Sequence, residues 1–376
     1  MPIVPSKTGA LKTLQAGRGV AALLVVLFHL NGAVFGRPKY LPQKFWQGFS
    51  FGHAGVAYFF VLSGFIIFYI HASDVGVPHR LTDFVRKRFI RIYPVYWIVL
   101  ALTLPVYLLA PSLGTGNELH WPNLLTDIGL LPTKYMPSLI VAWTLKHEVL
   151  FYIVFALMVL SRPLGMLVAA IGLMGSLCFL SGIVPYTLEN GASEAPFLSM
   201  VFSPLHVLFL IGGLSAWVVQ KYTVSLPAFW AAAGSILFVG IGMYECYPMG
   251  GHETPVLNTL YGVASAFAIV GFIELERSRR LVVPNILCLV GDASYAIYLV
   301  HFPLLSLGAK ILFAAHVPSI APKSLIFSGL FCVAVCAGII FHLAVEKPLL
   351  RKVKVIKSSG WGFFPPRVAA WFRAWR

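Results

Sequence analysis

Ten continuous apolar runs, each close to the roughly 20 residues a helix needs to cross bilayer hydrocarbon, dominate this chain of 376 residues. They lie near 18–35, 51–71, 92–110, 138–160, 164–184, 200–220, 226–247, 255–273, 286–311 and 324–345. Lipid offers no hydrogen-bond partner to a bare backbone, so such runs must be helical. They do not alternate apolar and polar residues, which argues against a barrel. The expected fold is therefore all-α, a polytopic membrane bundle of about ten transmembrane helices. Only 11% of the residues are charged, against roughly 25% in soluble domains, which excludes an ordinary soluble protein.

The remaining charge sets the orientation. Of 28 Lys and Arg, 21 fall in the segments 1–18, 72–91, 161–163, 221–225, 274–285 and 346–376. Short cytoplasmic loops collect such residues, so both termini are expected in the cytoplasm. The net charge of +15 is a topological signal here, and no nucleic-acid partner is expected. Five scattered cysteines form no C-x-x-C pair, so neither a disulfide framework nor a metal site is indicated. The first run resembles a signal peptide in its flanking charges, but reads as an uncleaved span. Residues 1–345 are expected to form the membrane domain and 346–376 a basic cytoplasmic tail. In that tail Val368, Trp371, Phe372 and Trp375 share a helical face, the pattern of a short helix lying on lipid.

Ionisable groups inside a span are expensive and default to function. Arg18 and His29 are eleven positions apart, three turns plus about 20°, hence on one helix face and roughly 16 Å apart. His29 is either an acid–base group or an interhelical hydrogen bonder. Glu148, in Trp143-Thr-Leu-Lys-His-Glu-Val-Leu-Phe-Tyr152, is placed at the depth of His29. A His29–Glu148 pair would orient the imidazole and raise its basicity; the alternative is a structural ion pair. Lys146 either snorkels or neutralises a local acid. Gly52, Gly55 and Gly64 permit close helix packing, and Ser63 between them is a nucleophile only if a base adjoins it. Arg86, Lys87, Arg88 and Arg91 form a cationic mouth suited to phosphate, or to lipid headgroups. Ser294, Tyr298 and His301 share a face of the ninth span, and Glu346 at the end of the tenth can pair with a loop arginine. With Ser63, Tyr96 and Trp143, Tyr298 and His301 complete the candidates for a substrate cavity.

Together these pieces resemble the acyltransferase family 3 membrane proteins, which transfer acyl groups, usually acetyl, to extracytoplasmic glycans in bacteria. The matching segments are Arg18 with His29, GHAGVAYFFVLSGF, RFIRIYPVYW, WTLKHEVLFY, GDASYAIYLVH and Glu346-Lys-Pro348, spanning about residues 11–350. The resemblance implies acetyl-CoA as donor, no metal, a glycan acceptor such as exopolysaccharide or its lipid-linked precursor, and a bacterial inner-membrane location. It carries phosphate binding to Arg18, Arg88 and Arg91, with Arg86 beside them, and catalysis to His29 and Glu148. His29 would either deprotonate the sugar hydroxyl or accept the acetyl group first. Many relatives carry an extracytoplasmic esterase-like domain; about 30 residues after the last span leave no room for one, so a stand-alone enzyme or a separate partner is expected. The rival reading is a transporter or flippase with His29, Glu148 and His301 as a proton relay.

Overall fold

The computed structural model of the chain describes residues 11–109, 120–183 and 196–356. Among these residues the regular elements are helical, apart from one β-bridge between Phe35 and Leu41. Ten helical segments are long and apolar enough to cross a membrane, at the positions the apolar runs predict. In chain order the first helices are α1 (Lys12–Ala33), α2 (Ala54–His71), α3 (Leu81–Leu109), α4 (Trp121–Gly129) and α5 (Ala142–Leu160). The middle of the chain forms α6 (Arg162–Leu180), α7 (Pro196–Val201), α8 (His206–Lys221), α9 (Pro227–Cys246) and α10 (Pro255–Arg277). Then follow α11 (Asn285–Asp292), α12 (Ser294–Ala314), α13 (Lys323–Phe341) and α14 (Lys347–Ile356). A π-helical turn, His342–Glu346, joins the last two into one rod. The end of the bundle where α1 starts and α14 lies is called the near end below, and the opposite end the far end. The tail segment 366–376, expected as a surface helix, lies outside the described residues.

Small residues set the helix spacing, as a lipid-solvated bundle requires. A Cβ on Gly64 of α2 would fall 2.1 Å from the Phe209 carbonyl oxygen of α8, and one on Gly212 of α8 would fall 1.9 Å from that of Val61. The two backbones therefore touch through reciprocal glycines. Gly52 and Gly55 do the same against α1, at Leu24 and Ala21. The start of α1 is fixed across the fold: Glu276 of α10 accepts bonds from the Lys12 and Thr13 amides (2.8 and 2.9 Å) and from the Thr13 hydroxyl (2.6 Å). A carboxylate on the orphan amides of a helix N-terminus is favoured by both hydrogen bonding and the helix dipole.

Residues 120–141 depart from expectation. The sequence reading begins the fourth span at 138, but α5 starts only at Ala142, and the segment before it folds back against the middle of α3. The last carbonyls of α4 need donors where lipid provides none. Tyr93, Tyr96 and Trp97, on one face of α3, donate to Gly129, Asp127 and Ile128 (3.0, 2.8 and 2.9 Å). Leu130 ends α4 in the left-handed region (φ 52°). That conformation costs about 1–2 kcal/mol, and burial of the Leu130 side chain, worth about 1.5–3 kcal/mol, offsets it. Asp127, fully buried, accepts from the Ser138 amide (2.6 Å) and pairs with Lys146 at 3.1 Å. Of the two readings of Lys146, neutralising a local acid is the one observed.

Candidate active site

A cavity of about 170 Å³ lies between α1, α2, α3, α5 and α12. Three arginines enter it. Arg18 comes from the second turn of α1, and Arg88 and Arg91 from one face of α3. Arg91 is held by Glu346 (3.2 Å), whose other oxygen accepts from His342 Nδ1 (2.8 Å), and it lies over the Tyr295 ring. The π turn brings His342 and Glu346 to the same side of the rod, so the expected pairing of Glu346 with an arginine is observed. Arg88 is clamped differently. Its guanidinium donates to His71 Nε2 (3.3 Å), and His71 Nδ1 donates to Asp74 (2.7 Å). The rings of Phe84 and Tyr152 each lie 5.7 Å from it. Arg88 Nε is nevertheless buried without a partner, and Arg18 makes no hydrogen bond or ion pair to the described residues. Unspent guanidinium donors around one cavity form a site for a polyanion, since leaving buried donors unpaired costs about 1–3 kcal/mol each.

Glu148 lines this cavity, but its partners are not those expected. It accepts bonds from Ser63 (3.1 Å) and from the Tyr152 hydroxyl, while His29 lies elsewhere. The reason is depth. Thr144, one turn before Glu148, bonds Tyr298 at 2.8 Å, so Glu148 lies near the level of Ser294 at the start of α12. His301 is seven residues further along α12, roughly 10 Å nearer the far end. There it meets His29: His301 Nε2 lies 3.1 Å from His29 Nδ1. Each imidazole also bonds its own helix through Nδ1, to Ile297 and Val25 carbonyls at 3.0 Å. A carbonyl only accepts, so both Nδ1 atoms carry protons. His301 Nε2 is then an acceptor for the His29 proton, and His29 Nε2 is left with a free lone pair. Tyr298 and Phe59 close the far wall of the cavity, with the His301 ring 5.9 Å behind that of Tyr298.

Of the other sequence candidates, Ser63 and Tyr298 line the cavity, and His301 backs it. Ser63 adjoins a carboxylate, not an imidazole. Arg86 is corrected: two residues from Arg88 it projects to the opposite side of α3 and pairs with Asp83 at 3.1 Å. Tyr96 is spent on α4 and lies outside the cavity. Trp143 sits on the α5 face beside Thr144 and packs toward His147 instead.

A second ionisable cluster, not singled out by the sequence motifs, lies at the far end. Glu245, 1% exposed, receives His53 Nε2 at 2.7 Å and the Tyr261 hydroxyl at 2.6 Å. His53 and His29 flank the same side chain, Phe28, with ring centroids 5.6 and 5.1 Å from it. The signal was present: a carboxylate near the end of an apolar run, and a histidine between two glycines that must touch α1.

A buried histidine pair behind a cationic cavity suits group transfer inside a membrane, and comparison with known proteins decides the class. The sequence profile of the family described as an acyltransferase domain matches residues 11–343. The chain belongs to this acyltransferase family. The acyltransferase is 29% identical over 322 residues to the exopolysaccharide production protein ExoZ of Rhizobium meliloti (strain 1021), covering 82% of this chain and 93% of that one. It is 25% identical over 372 residues to the acyltransferase MdmB of Streptomyces mycarofaciens, covering 93% and 94%. No solved structure matches the acyltransferase. It is a multi-pass membrane O-acyltransferase.

Proposed function

We propose that the acyltransferase moves an acetyl group from cytoplasmic acetyl-CoA, bound at the near end, to a hydroxyl of an extracytoplasmic or lipid-linked glycan at the far end. The observation that carries this reading is Arg18, without a hydrogen bond or ion pair to the described residues, beside Arg88, whose Nε lacks a partner, in one cavity below a histidine with a free Nε2. Arg18, Arg88 and Arg91 hold the phosphates of the donor. The thioester extends past Tyr298 to His29, which His301 orients. Glu148, braced by Ser63 and Tyr152, offsets cavity charge and orients the donor. The name of ExoZ refers to exopolysaccharide production, which supports a glycan acceptor. The basic near end supports a cytoplasmic donor in the inner membrane. A relay through His29, Glu148 and His301 is disfavoured, because Glu148 lies on the other side of Tyr298 from the histidine pair.

The test is acetyl-CoA binding and turnover by purified protein in lipid nanodiscs. Arg88→Ala should weaken binding about 10- to 100-fold, the loss of one charged hydrogen-bonding group at about 1.5–3 kcal/mol. His29→Ala should bind normally and turn over about 10²–10⁴-fold more slowly, the usual worth of an acid–base group. Wild-type protein that binds no acetyl-CoA would end this reading.

A further inference from the structure

When His29 Nε2 carries the acetyl group it is spent, and the incoming hydroxyl then needs another base. The far-end cluster has the form of one. Glu245 is a buried carboxylate in contact with one nitrogen of a histidine, the arrangement that elsewhere fixes an imidazole tautomer and orients it as a base. Tyr261 locks the second carboxylate oxygen, so Glu245 cannot turn away. With the Nε2 proton of His53 committed to Glu245, Nδ1 carries the lone pair. Nδ1 forms no hydrogen bond among the described residues. Nδ1 faces Glu253 Oε2 at 3.6 Å, beyond hydrogen-bond distance but within ion-pair range, so Glu253 is placed to stabilise the ring once it takes a proton. Glu253 is half exposed, its side chain 49% accessible, whereas His53 is nearly enclosed. With the ring neutral, Nδ1 and Glu253 are two acceptors at the edge of the fold, and adjacent hydroxyls of a sugar supply two donors. Among the described residues no group of His, Cys, Asp or Glu is disposed to hold a metal ion, so the cluster does not read as a metal site.

The backbone explains why the group is here. Gly52 presses the start of α2 against α1 at Leu24, which sets His53 against Phe28. His29 packs edge-on against the same ring, 5.1 Å between centroids. The two histidines are thus neighbours of one aromatic side chain.

We infer that His53, oriented by Glu245, is the base that takes the proton of the acceptor hydroxyl, and that Glu253 accepts from a neighbouring hydroxyl of the acceptor at the far-end entrance. This rests on the acetyl-transfer reading above. In the step, the hydroxyl oxygen attacks the acyl carbon and forms the new C–O bond. The bond from that carbon to its carrier, the CoA sulfur or His29 Nε2, breaks with its electron pair going to the carrier. The hydroxyl proton passes to His53 Nδ1 and then to water beside Glu253, while the thiolate takes a proton from water at the near end. His53 is catalytic in this scheme, and Glu245 is a positioning residue.

The experiment uses full-length protein in membranes of its source cells, which supply the native acceptor, with radiolabelled acetyl-CoA. Two products are followed: ester label in the glycan fraction, and acetohydroxamate formed from added hydroxylamine in excess of that formed with His29→Ala membranes, since hydroxylamine also cleaves the acetyl-CoA thioester unaided. Hydroxylamine attacks as a neutral nucleophile and needs no base. His53→Gln should lower ester label at least 100-fold while lowering hydroxamate no more than about threefold. Glu245→Gln should lower ester label about 10- to 100-fold, with Glu245→Asp recovering part of it. Equal loss of both products in His53→Gln and Glu245→Gln would mean that the cluster only holds the fold, and would overturn the inference. So would ester label within threefold of wild type. If wild type makes neither product from acetyl-CoA, the donor reading fails instead, a result distinguishable from either.

Discussion

Arg18, Arg88 and Arg91 were legible in the sequence because each is constrained along its own helix. Position within a span fixes depth, and spacing fixes the face. Partners across helices were less legible. Glu148 and His29 both read as mid-membrane groups, yet they belong to different levels, because the start of α5 is displaced toward the near end by the folded-back segment before it. The partner of His29 is His301, which the sequence joined to it only in the rival proton relay. If His301 orients His29 as proposed, His301→Ala should lower turnover about 2- to 12-fold, the worth of one neutral hydrogen bond at about 0.5–1.5 kcal/mol. Acetyl-CoA affinity should stay unchanged. His301→Gln, whose side-chain oxygen accepts a bond, should retain more of the rate than Ala. Steady-state kinetics that show KM rising with kcat unchanged would instead assign His301 to donor binding. His71 has a comparable place behind Arg88. Because its Nε2 is the acceptor for that guanidinium, His71→Phe should weaken acetyl-CoA binding, read by titration calorimetry, while Arg88 keeps its charge.

At the scale of elements, α4 is the part that hydropathy does not find. Nine residues are too short to register as a span, so 120–137 reads as part of an outer loop. Its burial depends on particular donors, Tyr93, Tyr96 and Trp97, which the sequence offered only as part of an aromatic motif. Asp127 is central to it, serving both Ser138 and Lys146 from a fully buried position. Removing one partner of a buried ion pair leaves the other uncompensated, at a cost of about 3–5 kcal/mol. Asp127→Ala should therefore lower the thermal midpoint in nanodiscs strongly. Tyr96→Phe, which removes one hydrogen bond, should cost only about 1 kcal/mol. Equal midpoints for the two variants would mean that the folded-back segment contributes little to the bundle. Because α5 follows directly, loss of α4 should also displace Thr144 and Glu148, and with them the far wall of the cavity.

At the scale of the whole molecule, the ten spans and their close-packed glycines were legible, because lipid leaves a chain few alternatives to the helix. The orientation proposed for the bundle rests on the charge bias of its loops. The donor cavity opens among arginines of the near end, and the second histidine cluster lies at the far end, so the proposed transfer has a direction across the membrane. Ten crossings bring α14 back to the side on which α1 begins. Ser278, just after α10, and Ala315, just after α12, are exposed residues at opposite ends. In a variant with the five native cysteines replaced, Ser278→Cys should resist a membrane-impermeant maleimide on intact cells and react only after lysis. Ala315→Cys should react on intact cells. The reverse pattern would place the arginine cavity outside, where cytoplasmic acetyl-CoA could not reach it, and the direction of transfer proposed above would have to be abandoned even if the same residues catalyse it.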